Sequence, residues 1–246
     1  MRLFDLFLAA HILTGALGLL SFWVPILARK GGTLHKRWGR FFTYALLATG
    51  VSAIGMSAST LLDPVLPHHG IADAALVEGI FGWMMLYLAV LTLSLAWHGR
   101  ITLKNKLDHA ANRHWFSFFI NSVTIVLAIN CAWHGWLIGQ PLMLGISVVG
   151  IASGLTNLHF ILRVNPPRHA WLKEHVKALV GAGISVYTAF LAFGAVRLVP
   201  QHVWSPILWG FPLAIGLAII LYHFRKLDRA GARTAKPLPA AASRGL

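Results

Sequence analysis

Acidic residues are scarce in this chain: seven Asp and Glu stand against 21 Lys and Arg in 246 residues. Charge of either sign is also thin, at 11%, where soluble domains carry roughly 25%. So few charged side chains cannot clothe a soluble domain of this length. There is a single cysteine, Cys131, so no disulfide can form within the chain. CxxC metal and redox motifs are excluded with it. Cys131 lies inside an apolar block and reads as a small packing residue.

In place of charge there is apolar length. Hydrophobic residues make up 57% of the chain and fall in blocks of about 20, the span of a helix across hydrocarbon. The chain reads as an all-α, polytopic transmembrane bundle of about seven spans, residues 1–224, followed by a basic tail, residues 225–246. The blocks predict helices at about Leu3–Leu27, Phe41–Leu62, Ala75–Trp97, Trp115–Leu137, Pro141–Leu162, His175–Val199 and Trp204–Phe224. The tail after Arg225 is rich in Ala, Pro and Arg and reads as disordered. No small-residue cleavage site follows the first block, which is therefore expected to be retained as a helix.

The basic residues are not spread evenly. Apart from Arg2 and Arg197, all of them flank the ends of helices 1, 3 and 5 or lie in the tail. The positive-inside rule then predicts the N-terminus outside and the C-terminus inside, as in a multi-pass protein of a bacterial cytoplasmic membrane. Loops this short suit anionic lipid headgroups as partners rather than nucleic acid. A homo-oligomer or a membrane partner subunit is left open.

Candidate chemistry lies with histidine. On helix 1, His11, Thr14, Gly15, Gly18 and Ser21 share one face by their three- and four-residue spacing. An imidazole about 10 Å inside the boundary needs a partner. Glu78 at the start of helix 3 and His134 near the end of helix 4, one turn after Asn130, are expected at similar depth. Together they make His11, Glu78 and His134 a candidate divalent-metal site or proton relay. On the opposite side are His35, His98, His109, His114, His159, His169, His175 and His223, without an HExxH signature. Of these, His35, His98, His159 and His175 are the candidate cofactor ligands, since they lie nearest the predicted helix ends. His159 is expected to face protein beside Asn157 and Ser153. Glu174 opens a stripe of small residues on helix 6 (Ala178, Gly181, Ser185, Thr188). A carboxylate there is already favoured by the helix dipole.

A faint repeat places His and Trp before the even-numbered helices: His35 and Trp38, His114 and Trp115, His169 and Trp171. The run His11-x-x-x-Gly15, then Lys30-Gly31-Gly32-x-x-His35-x-x-x-Gly39-Arg40, resembles the opening of the bacterial membrane-protein family known as domain of unknown function 2306. Trp171-x-x-x-His175 followed by Thr188-Ala189-Phe190 resembles its later signature. The resemblance covers most of helices 1 to 6 and implies a multi-helix membrane protein with histidines at both faces. It implies no reaction.

The leading functional expectation is a membrane redox protein, binding haem b or a divalent metal through paired histidines on different helices. The alternatives are a transporter of protons, metal ions or a small solute, and a non-catalytic accessory subunit. No Ser, His and Asp set falls at one depth, which argues against an intramembrane hydrolase.

Overall fold

The computed structural model describes residues 3–64, 73–194 and 206–234. Seven helices are long and apolar enough to cross a membrane, and no strand occurs among the described residues. They are α1 Leu3–Leu27, α2 Thr33–Leu62, α3 Ala74–Lys104, α4 Trp115–Leu137, α5 Pro141–Leu162, α6 Ala170–Gly194 and α7 Pro206–Thr234. The protein has the make-up of an integral membrane protein.

Three helices have the ends that hydropathy predicts, and the others run past them. α2 begins eight residues before Phe41, through the basic run Lys36-Arg37-Arg40. α3 continues seven residues beyond Trp97, and α6 starts at Ala170 rather than His175. Charged residues end an apolar block but not a helix, because Lys and Arg are good helix formers. For the same reason α7 continues past Arg225 to Thr234, so the first part of the predicted tail is helical. The predicted segments Ala195–Val199 and 235–246, together with Trp204, fall outside the described residues.

Packing order follows from which faces carry small residues. α1 packs on α2 and α6, α2 on α3, and α3 on α6, which closes a four-helix ring. The α4–α5 hairpin leans on α3, and α7 leans on α6. Half of the spanning window of α3 is buried, against 6% for α1, so α3 is the central helix and α1 a lipid-facing one. The α1 residues that are buried, Gly15, Gly18, Ser21, Phe22 and Pro25, form the stripe that meets α2 and α6. All the loops carrying the Lys and Arg runs open at one end, here termed the basic end.

Two segments depart from α-helical winding. Residues Glu78–Met84 of α3 and Phe190–Gly194 of α6 are π-helical. Such turns recur at functional sites. They cost hydrogen-bond geometry, and close packing holds them: a Cβ at Gly79 would meet Ile138 at 2.6 Å, and one at Gly82 would meet Leu61 at 2.6 Å.

Candidate functional site

The expected triad at the end opposite the basic one is not assembled. His11 donates from Nδ1 to the Thr49 carbonyl of α2 at 3.2 Å, and Thr49 Oγ1 lies 3.0 Å from Thr14 Oγ1. His11 thus clamps α1 to α2, and no group of three His, Cys, Asp or Glu able to hold a metal occurs among the described residues. The two other members do share a neighbourhood, through a residue the sequence did not single out. Trp83 donates from Nε1 to Glu78 Oε1 at 3.2 Å, and its ring stacks on His134 at 5.2 Å. In an α-helix, residues five apart are about 140° apart around the axis. The π-helical i→i+5 winding brings them onto one face.

At the basic end three helices of the ring each carry a histidine within about 10 Å of their ends, taking 1.5 Å per residue. These are His35 on α2, His98 on α3 and His175 on α6. His35 donates from Nδ1 to Pro25 O at 3.0 Å, and His175 donates from Nδ1 to Gly99 O at 2.8 Å. The Pro25 acceptor exists because the last carbonyls of α1 have no intrahelical donor. In the neutral form of each imidazole this bond leaves the lone pair on the other nitrogen, Nε2. Neither Nε2 makes a hydrogen bond among the described residues. α2 and α6 stand opposite each other across the ring. Gly39, one turn beyond His35, lets α1 approach closely: an added Cβ would already be in van der Waals contact with Pro25 Cβ at 4.0 Å.

His98 is differently placed. It is 1% exposed, and its Nε2 lies 3.1 Å from Glu174 Oε2, which Lys177 also contacts at 2.6 Å. Its Nδ1 is buried without a partner, as are Thr102 Oγ1 one turn away and Asn157 Oδ1. A neighbouring chain of hydrogen bonds joins Ser94 and Asn157 to Asn121 Oδ1 at 3.1 and 3.0 Å. Comparison of the chain with family models, with curated proteins and with solved structures gives no match in any of the three. The reading of this end rests on geometry.

The remaining candidate, His159, is exposed, while Asn157 beside it is fully buried. Two residues along a helix turn the side chain by about 200°. The expected His159–Asn157 cluster is therefore split between lipid and protein faces. Asn157 is the member that joins the interior. Glu174, which the sequence assigned to the helix dipole, proves to be the partner of His98.

Proposed function

We propose that the protein is a b-type haem protein of the membrane, with His35 and His175 as the axial ligands. The observation that carries this reading is the matched pair of imidazoles on opposed helices, each with Nδ1–H held by a backbone carbonyl and Nε2 left free. Ligating histidines characteristically present this arrangement, because the hydrogen bond fixes the tautomer and aims the ring. A haem held there would supply one-electron transfer close to the basic face. The chain's own part is to orient both rings. Both histidines fall within the stretches that resemble the domain-of-unknown-function-2306 proteins, and we place the chain with that family on the same ground.

The test is a visible absorption spectrum with iron analysis on the purified, full-length protein expressed with haem precursor. A Soret band at one iron per chain is expected, lost in His35→Ala and in His175→Ala and kept in His159→Ala. A parent protein that binds no haem under these conditions ends the reading.

A second observation favours transport. The group of buried His98 with the partly buried Glu174 and Lys177, with polar atoms unpartnered around it, is the kind of intramembrane ionisable cluster that relays protons. If it does so, protein in liposomes dissipates an imposed pH gradient, and Glu174→Gln stops it. Equal leakage from parent and variant excludes this role.

A further inference from the structure

α1 and α7 both pack on α6, and a lateral groove of about 760 Å³ opens between their basic ends. Its wall is apolar. Ile215, Ile219, Tyr222 and Lys226 of α7 recur every three or four residues, so they share one face, and with the adjoining His223 they line the groove opposite Ile26 of α1. Its mouth is cationic: Arg29 and Lys30 follow α1 directly, and His223 and Lys226 come from α7.

Among the described residues no carboxylate lines the groove. The nearest acid along α7, Asp228, is taken by Lys173 at 2.6 Å. Lys30 leans on the carbonyls of Pro25 and Ile26. Its partial burial first, and then the nearby charge of Lys226, hold the Lys30 ammonium below its ordinary pKa. Crowded cations without an acid call for an anion, and an apolar wall inside hydrocarbon is filled by an acyl chain.

We propose that this groove is a binding site for an anionic phospholipid. Its phosphate sits among Arg29, Lys30 and Lys226, and one acyl chain lies along Ile26, Ile215 and Ile219. The lipid ties α7, whose main packing is on α6, to the end of α1. The proposal does not depend on haem or on proton transfer.

The test uses the purified full-length protein, delipidated in a neutral detergent. Phosphatidylglycerol is expected to raise the unfolding temperature by about 2–4 °C, the shift produced by roughly 1 kcal/mol in a chain of this size. Phosphatidylcholine and inorganic phosphate should leave it unchanged. The double variant Lys30→Gln/Lys226→Gln should keep the lipid-free unfolding temperature and lose the increment. The control Lys36→Gln/Lys104→Gln, which alters the basic end away from the groove, should keep both. Native mass spectrometry should retain one phosphatidylglycerol on the parent and none on the Lys30/Lys226 variant, which keeps the test decisive if that variant unfolds. Equal stabilisation by phosphatidylcholine, equal stabilisation by free phosphate, or lipid retention by the Lys30/Lys226 variant would overturn the proposal.

Discussion

A histidine inside a membrane bundle must find a partner, and the partner it finds decides what it can do. His11, His35 and His175 each use Nδ1 on a backbone carbonyl, whereas His98 uses a carboxylate. His98 depends on Glu174, because removing the carboxylate leaves the buried Nε2 without its acceptor. Glu174→Ala is therefore expected to lower stability by about 1–3 kcal/mol. Glu174→Gln, whose amide oxygen can still accept from His98, should recover most of that; thermal unfolding in detergent checks both. Glycines give a second residue-level expectation. A Cβ at Gly135 would sit 2.6 Å from Met143 Cβ and 3.2 Å from the Gln140 carbonyl, neither of which is a flexible end. Gly135→Ala should cost about 1–3 kcal/mol by forcing α4 and α5 apart. Gly145→Ala, which meets nothing within 4 Å, should leave the unfolding temperature within a degree or so of the parent's, given the usual small effect of such surface changes.

Among the elements, α3 holds most of the polar chemistry. Its π-helical start presents Glu78 and Trp83 on one face, and its far end presents His98 and Thr102 to the interior. Trp83→Phe keeps an aromatic face for His134 but removes the N–H that Glu78 accepts. A loss of about 1 kcal/mol is expected, and Trp83→Leu should lose more, because the stack with His134 goes too. Unfolding midpoints of the two variants decide the order. This grouping could not be read along the chain, since α-helical periodicity sets residues 78 and 83 on different faces. Helix ends were legible where Trp115, Pro141 and Leu162 bound their apolar blocks. They were illegible at Lys36, Lys173 and Arg225, where charge interrupts hydropathy but not the helix.

For the whole molecule, the distribution of Lys and Arg sets the expected sidedness. With Cys131 replaced by Ala, a cysteine at Thr33 should resist an impermeant reagent in intact cells, and one at Ala75 should react. Labelling of Thr33 from outside would invert the topology. That the chain is a bundle of seven apolar helices was written in its composition, because hydrocarbon demands about 20 apolar residues per crossing and leaves few alternatives. The histidines too were visible as candidates, being polar groups at positions where polarity is costly. Which of them meet was not. Helical spacing places a side chain on a face, but the order in which helices pack is set by side chains from segments far apart in sequence. The closing of α1, α2, α3 and α6 into a ring put His35 opposite His175 and His98 against Glu174. It left His11 on Thr49, away from Glu78 and His134, and turned His159 out of the bundle.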